Sequence, residues 1–255
     1  MSKNSKAQVI INADDLGISV NVNNLIFDLM GRRRITSATL LANSPAFDDA
    51  VLRIPKYAHC SFGVHLNLTQ FAPLSEKKRL SQILDEKGEF AGNRVREVPM
   101  DSPFREAIYR EWRAQIEKTR SAGVTISHID GHHHIHTIPM LFLILKRIQE
   151  DCDIWRIRIS RTFTGKDHPF SLHKKICKAG YNFILRHHRR TITTDEFGSF
   201  EDYLALARTG KFASKTVELA THPGLKRTDG ETAMLDTEWQ HSIPYPIQLI
   251  DYHKL

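Results

Sequence analysis

The sequence predicts an α/β fold in which parallel strands are wrapped by helices as a β/α barrel, seven-stranded or a distorted form of the TIM barrel. Three observations predict this fold. Short apolar or β-branched runs alternate with longer stretches of helical spacing, which is typical of parallel strands joined by helices. No glycine-rich phosphate loop follows the first predicted strand, which disfavours an open nucleotide-binding sheet. Chemically reactive residues stand at the predicted strand ends, where barrels carry their active sites.

The first part of the chain predicts three strands and two helices. Apolar runs and β-branched residues indicate the strands, and apolar spacing near 3.6 residues indicates the helices. In order, we predict a strand at Val9–Ile11, a helix at Ser19–Met30, a strand at Ile35–Leu41, a short helix at Asp48–Ile54 and a strand at Ser61–Thr69. Residues alternate between apolar and polar along the last strand, so His65 and Asn67 share a face.

The second part continues the alternation after a long polar segment, Thr69–Pro99, which we interpret as a loop over the site. The predicted elements are helix Ser102–Ser121, strand Val124–Ile129, helix Pro139–Glu150, strand Ile154–Ile159, helix Ser171–Arg186 with an interruption near Gly180, helix Phe200–Arg208 and strand Thr216–Ala220. About seven strand–helix units fit this pattern. A chain of 255 residues suits one barrel domain, residues 1–255.

Composition and charge limit the class of protein. A hydrophobic content of 41% and a charged content of 25% indicate a folded globular protein. The net charge of +7 comes largely from clusters at Arg32–Arg34, Lys77–Arg79 and Arg186–Arg190, which indicate solvated surface or an anionic partner. No nucleic-acid-binding module accompanies them, and no apolar run is long enough to span a bilayer. We therefore expect neither a nucleic-acid nor a membrane partner.

The cysteines and the first residues bear on the compartment. The chain has three widely separated cysteines, which argues against a disulfide framework and fits a reducing environment. The polar first residues lack the apolar core of a signal peptide. We therefore expect a cytoplasmic protein. The oligomeric state is left open, and a homodimer is one possibility.

The densest chemical signal is the segment His128–His136, which holds five histidines in nine residues. Neutral imidazole is the commonest metal ligand near neutral pH. A metal site that keeps one position open for water needs only three protein ligands, so the remaining histidines would orient the ligands or contact substrate. Asp130, inside the segment, is a natural hydrogen-bond partner for a ligating histidine. The segment predicts a metal site.

Three further positions join this segment at predicted strand ends: Asp14–Asp15, His65 and His222. Each has a simple structural alternative, since an aspartate can cap a helix, a histidine can be a hydrogen-bonded core residue, and His222–Gly224 can be a plain turn. Adjacent carboxylates can also divide two tasks, with one binding a metal and the other accepting a proton from water. At the mouth of a barrel all these side chains would converge.

Five segments together resemble the YdjC/ChbG-like carbohydrate deacetylases. They come in the family's order: Ile11–Ser19 (INADDLGIS), Ile35–Asn43 (ITSATLLAN), Gly63–Thr69 (GVHLNLT), His128–His136 (HIDGHHHIH) and His222–Gly224 (HPG). The resemblance spans Val9 to about Gly224. Asn67 stands where the family often has aspartate, and the tail after Gly224 matches weakly.

The resemblance implies a barrel akin to polysaccharide deacetylases and a metal-dependent hydrolase that removes the acetyl group from an N-acetylated sugar. It implies one divalent metal ion held by Asp15, His65 and His132. Asp14 would be the general base and His222 the general acid. The residues that would orient these groups or contact substrate are Asp130, His134, His136 and Asn67. The family resemblance implies magnesium, whereas two imidazoles and a carboxylate suit zinc, iron, cobalt or nickel better.

Three other functions remain open from the residues alone. A metal-dependent phosphoesterase would use two metals about 4 Å apart, with His134 and His136 available for the second. A non-catalytic carbohydrate-binding barrel would keep the fold without the reaction. An anion-binding protein would use the basic clusters.

Overall fold

Seven parallel strands form one curled sheet in the computed structural model, which describes residues 6–165, 169–210, 215–225 and 228–255. The first five residues, on which the expectation of no signal peptide partly depends, lie outside this description. The strands are β1 (Ala7–Leu16), β2 (Ser37–Leu40), β3 (Ser61–Leu66), β4 (Ile126–Gly131), β5 (Glu196–Ser199), β6 (Thr216–Thr221) and β7 (Ile247–Leu249). Their order is β4-β3-β2-β1-β6-β5, and β7 pairs with the beginning of β1. The predicted α/β barrel class is confirmed.

An extended segment connects the two edges of this sheet. The Ile129 N–H of β4 donates to Arg156 O at 3.0 Å, and the Arg158 N–H donates back to Ile129 O at 3.1 Å. Further along, the Thr162 N–H donates to Phe197 O of β5 at 2.9 Å. The prediction of a regular strand at Ile154–Ile159 is wrong, because the segment pairs only through single bridges. Its hydrogen bonds nevertheless link the two edges of the curled sheet.

Helices surround the sheet: α1 (Val20–Gly31), α2 (Phe47–Arg53), α3 (Lys77–Leu80), α4 (Ser102–Ser121), α5 (Phe142–Cys152), α6 (Leu172–His187), α7 (Phe200–Ala207) and α8 (Asp229–Leu235). Side-chain caps begin several of them, since Ser19 accepts from the Val22 N–H and Asp101 from the Phe104 N–H. The prediction of an interruption near Gly180 is wrong, because α6 continues through it. None of the helices described is long and apolar enough to cross a bilayer.

Alternation along β1 separates core from site. Val9, Ile11 and Ala13 belong to the apolar cluster shared with α1 and α7. Ile10, on the opposite face, packs with Ile250 and Tyr252 from the end of the chain. Period-two geometry therefore places Asn12 and Asp14 on the same inner face as Ile10, farther along the strand. The C-terminal residues fill one end of the barrel and polar residues occupy the other.

Candidate metal centre and active site

Three predicted metal ligands meet at the carboxyl ends of the strands. Asp15 Oδ1 lies 2.7 Å from His132 Nδ1 and 3.3 Å from His65 Nε2. Asp15 belongs to the end of β1, His65 to the end of β3, and His132 follows β4 directly. All three side chains are buried, and their ligand atoms lie within 4.8 Å of one another. The structure thus brings together residues that are up to 117 positions apart in the chain.

A distortion of β1 lets adjacent aspartates serve one site. In a regular strand, Asp14 and Asp15 would point to opposite faces of the sheet. Asp15 instead has a φ of 65°, and the pairing of β1 with β2 shifts register between Ala13 and Leu16. A left-handed backbone is uncommon for aspartate and costs free energy, and such strain concentrates at functional sites. The irregularity turns both carboxylates toward the barrel mouth.

The donor set fits a divalent cation. Asp15 Oδ1 is buried, and its close polar neighbours are the two imidazole nitrogens of His132 and His65. Burial would raise the pKa of Asp15, but His132 and His65 outweigh this effect and hold its pKa well below the ordinary value. Two imidazoles and a carboxylate are the ligands of many catalytic transition-metal sites. These three atoms already lie close enough together to bind one cation in place of their direct contacts.

Asp130 orients His65. Its Oδ1 lies 2.6 Å from His65 Nδ1, on the far side of the imidazole from Asp15. The Thr39 hydroxyl donates to Asp130 Oδ2 at 3.0 Å and so fixes the carboxylate. Burial acts to lower the pKa of His65, but Asp130 and the neighbouring aspartates raise it to about 10. A carboxylate that fixes the ring and leaves Nε2 facing the site is the usual support of a metal-binding histidine.

A fully buried arginine, which sequence reasoning missed, holds the acidic residues together. Arg158 makes a two-point contact with Asp14, with both N–O distances at 2.7 Å. It also lies 2.7 Å from Asp130 and 2.7 Å from Glu218. The available signals were charged residues inside apolar runs, as in Ile157-Arg158-Ile159 and Val217-Glu218-Leu219. A charge in such a run is almost never buried unless it is paired.

Asp14 therefore differs chemically from its neighbour Asp15. Burial would raise the pKa of Asp14, but Arg158 outweighs it and lowers that pKa far below the ordinary range. A second possible ligand set, Asp14, His65 and Asp130, also has atoms within 4.8 Å of one another. A cation there would face the Arg158 guanidinium, which contacts both aspartates. Charge repulsion favours the set containing Asp15.

His222 lies beside Asp14 at the end of β6. Its Nε2 is 3.7 Å from Asp14 Oδ2. Its backbone N–H donates to Glu231 Oε2 of α8 at 2.9 Å, which fixes the turn that follows the strand. The predicted acid and base candidates are thus neighbours, and both border the Asp15, His65 and His132 group.

Glu231 makes stability depend on pH. Burial raises its pKa to about 8, well above the ordinary glutamate value. Between the unfolded and folded pKa values, the folded chain holds a proton that the unfolded chain does not, so stability falls as pH rises. We expect Glu231→Gln, which keeps an acceptor for His222, to be more stable than wild type at pH 8 by on the order of 1–2 kcal/mol.

Thermal unfolding measured from pH 5 to pH 8 checks this. The advantage of Glu231→Gln should shrink as pH falls toward 5, and Glu86→Gln, at an exposed position, should follow the wild-type curve. Parallel curves for Glu231→Gln and wild type would contradict the raised pKa.

The histidine segment forms a tight turn rather than a row of ligands. His133 and His134 both have left-handed φ values, 50° and 56°. His132 is held by Gln70 Oε1, 3.1 Å from its Nε2, which leaves Nδ1 directed at Asp15. Burial lowers the pKa of His134 and of His136 well below the ordinary value, so both rings are neutral. Among the described residues, neither belongs to a group able to hold a metal, which gives the two-metal alternative no support.

Asn67 stabilises a turn beside the site. Its amide donates to Asn43 Oδ1 at 3.0 Å and to Gln70 O at 2.7 Å, while Oδ1 accepts from the Thr69 N–H at 2.9 Å. These contacts leave Asn67 to position Gln70, which in turn contacts His132. The prediction was that Asn67 orients the metal ligands or contacts substrate. Its amide is already engaged within the turn, so any orienting effect on His132 passes through Gln70.

Comparison with known proteins agrees with the geometry. The model of the YdjC-like protein family matches residues 8–247. The chain belongs to the YdjC-like family. This match includes every strand end that contributes to the site, and it extends through residues 225–247 of the tail, where the sequence resembles the family only weakly.

Curated relatives match this YdjC-like chain over part of their length. One is the carbohydrate deacetylase of Halalkalibacterium halodurans, 35% identical over 148 residues, which are 58% of this chain and 62% of the relative. Another is the carbohydrate deacetylase of Geobacillus stearothermophilus, 35% identical over 159 residues, which are 62% of this chain and 61% of the relative. The aligned part therefore spans about three fifths of these relatives.

A solved structure shares the fold over almost the whole chain. It is that of a candidate cellobiose-phosphate cleavage protein from Enterococcus faecalis V583, with a TM-score of 0.78 and 24% identity. The match covers 98% of this chain and 99% of the other. At this identity the likeness shows the fold alone.

Proposed function

We propose that this YdjC-like protein is a divalent-metal-dependent hydrolase that removes the acetyl group from an N-acetylated sugar, giving acetate and a free amine. The observation that carries the proposal is the grouping of Asp15, His65 and His132 around one point, with Asp14 and His222 beside it. The naming of its relatives as carbohydrate deacetylases supports the substrate class.

Asp15 Oδ1, His65 Nε2 and His132 Nδ1 would hold the cation. When bound, it supplies Lewis-acid chemistry, which polarises an acetyl carbonyl and makes water more acidic. The ligand types favour zinc or another transition metal, whereas the family resemblance implies magnesium. Elemental analysis of protein purified without an affinity tag decides between them.

The chain's own residues would move the protons. Asp14 accepts the proton of the attacking water at Oδ2, the oxygen nearest His222. Arg158 holds this carboxylate in a fixed orientation through its two-point contact, so that little reorganisation accompanies the reaction. His222 Nε2 donates a proton to the leaving sugar nitrogen, which departs as an amine.

Two substitutions distinguish a metal ligand from a histidine outside the site. We expect His132→Ala to lose both bound metal and acetate release, because it removes one of three ligands. The matched control is His241→Ala, at an exposed position outside the site, which should keep both. Metal content by elemental analysis and acetate release from the same preparations make the comparison. Full metal content in His132→Ala would contradict the ligand assignment.

The reaction itself is tested with a panel of N-acetylated sugars, with and without a chelator. Acetate release that the chelator abolishes and added metal restores would support the proposal. Acetate release that continues unchanged in the chelator would contradict the metal dependence. Absence of acetate release from every sugar, together with metal-dependent phosphate release from phosphoesters, would favour the phosphoesterase alternative.

A further inference from the structure

An apolar stripe runs along the solvent side of α6. Leu172 is 73% exposed, Ile176 63%, Phe183 63% and Ile184 53%. Positions 172, 176, 183 and 184 lie on one side of a helix. Four of the ten exposed large hydrophobic side chains in the described part of the chain therefore lie on this one helix. Single exposed apolar residues are ordinary, but a contiguous stripe marks an interaction surface.

The opposite side of α6 already accounts for its packing. Asn182 and Leu185 are buried. The Asn182 side chain pairs with both backbone groups of Ser160, at 2.8 and 2.9 Å. The Tyr181 hydroxyl donates to His136 O at 2.6 Å. Folding thus uses one face of α6 and leaves the apolar stripe on the other.

Charge indicates the partner. Between Ser171 and Arg190 the sequence has six lysines and arginines and no aspartate or glutamate. Lys174, Lys175 and Arg190 are exposed, whereas Lys178 donates to Ser160 and Arg189 is paired with Glu150. An amphipathic helix with large exposed apolar side chains and basic polar residues is typical of helices that bind in the interface of a membrane. Its basic groups then contact anionic lipid headgroups.

We propose that α6 binds the surface of a bilayer containing anionic lipids, with Ile176 and Phe183 entering the headgroup region and the neighbouring lysines meeting lipid phosphates. Surface binding needs no spanning helix. The proposal therefore differs from the sequence-based expectation of no membrane partner, which rested on the lack of a long apolar run.

A second copy of the chain is a poorer partner for this surface. A two-fold symmetric contact would place α6 against α6, because such an interface uses the same patch on both subunits. The exposed Lys174, Lys175 and Arg190 of one copy would then approach those of the other, with no acidic residue in the segment to compensate. An anionic surface removes this repulsion.

The inner face of α6, opposite the apolar stripe, contacts segments next to the candidate active site. Lys178 Nζ donates to Ser160 Oγ at 2.9 Å, and Ser160 follows Arg158 by two residues. Tyr181 contacts the backbone of the histidine segment. The inner face of α6 is thus attached to segments that form the candidate active site. The surface and the site nevertheless use different residues, so each can be tested without the other.

Sedimentation with vesicles tests the proposal without any sugar substrate. The full chain is mixed with vesicles of phosphatidylcholine alone or of phosphatidylcholine with phosphatidylglycerol. We expect binding to the anionic vesicles that weakens as salt is added. Phe183→Ser should reduce binding, and the control Leu52→Ser, at a side chain 79% exposed on α2, should not.

Charge reversal supplies the second comparison. Lys174→Glu with Lys175→Glu should weaken binding to anionic vesicles roughly tenfold or more. The control makes the same change in charge at another adjacent exposed pair, Lys77→Glu with Lys78→Glu on α3, and should bind like wild type. Melting temperatures show that each variant is folded.

Three outcomes would overturn the proposal. The first is that the wild-type chain stays in solution with both kinds of vesicle. The second is that both members of a variant–control pair lose binding equally. The third is that the chain forms a dimer in sedimentation velocity without lipid and Phe183→Ser converts it to a monomer, which would assign the stripe to contact with a second copy. Acetate release from a soluble sugar, unchanged in Phe183→Ser, keeps this result separate from the proposed reaction.

Discussion

Asp14→Asn is expected to lower kcat for acetate release by about three orders of magnitude while metal content stays at the wild-type level. Asparagine has nearly the same shape as aspartate but does not accept a proton near neutral pH. Asp14 lies outside the group of Asp15, His65 and His132, so a bound cation would keep its three proposed ligands. Loss of turnover without loss of metal is therefore the signature of a proton acceptor.

The pairing of Asp14 with Arg158 affects how readily the Asp14 carboxylate accepts a proton. Both carboxylate oxygens lie 2.7 Å from the guanidinium, and the pKa of Asp14 is lowered. A carboxylate held in this way is a weak base, so proton transfer to it would depend on the Lewis-acid chemistry that a bound cation would supply. In exchange, the carboxylate is always ionised and always oriented. A rate loss well below tenfold would show that another group accepts the proton.

Controls separate this chemistry from damage to the fold. Asp48→Asn makes the same change at an exposed position in the first turn of α2 and should keep full activity. The melting temperature of Asp14→Asn must be measured too, because the new amide faces Arg158. Wild-type turnover in Asp14→Asn would exclude Asp14 as the base and direct attention to the remaining carboxylates.

Local pattern predicted most of the site because strand ends and reactive residues coincide along the sequence. β1, β3, β4 and β6 are all apolar or alternating runs, and the barrel rule places their carboxyl ends together. The fold thus follows from period-two and period-3.6 patterns, and the convergence of Asp15, His65 and His132 follows from the fold. The left-handed backbone at Asp15 does not follow, since no pattern in the chain marks it.

Contacts between distant residues and effects of tertiary packing could not be predicted from the sequence. Arg158 contacts Asp14 across 144 positions, and only the curled sheet brings them together. α6 runs through Gly180 although glycine costs about 1 kcal/mol in a helix, because buried Asn182 and Leu185 hold the following turn in place. β7 is a short strand of three residues in the weakly patterned tail, and its partner is the beginning of β1.

Arg158→Met is expected to lower the free energy of unfolding by about 3–5 kcal/mol, the usual cost of breaking a buried ion pair by removing one partner. Methionine fills part of the space but leaves Asp14, Asp130 and Glu218 facing one another without a cation. Burial raises the pKa of Glu218 to about 7 even with Arg158 present. A small additional repulsion from the neighbouring carboxylates would therefore be enough to protonate Glu218.

Urea unfolding of Arg158→Met and wild type measures the effect. The control, Arg161→Met, removes an arginine three residues along the chain whose nearest acidic oxygen, on Asp202, is 3.8 Å away. Because that pair is partly exposed, its loss should cost less than about 1 kcal/mol. Lower pH should recover part of the loss in Arg158→Met, since protonation removes the repulsion among the carboxylates.

A small loss would change the interpretation of the whole polar core. If Arg158→Met and Arg161→Met cost the same, the three buried acidic groups would be neutralised by protons rather than by the guanidinium. Asp14 would then be protonated at rest and could not accept a proton from water. The stability of Arg158→Met therefore tests the premise on which the catalytic role of Asp14 depends, by a measurement that involves no substrate.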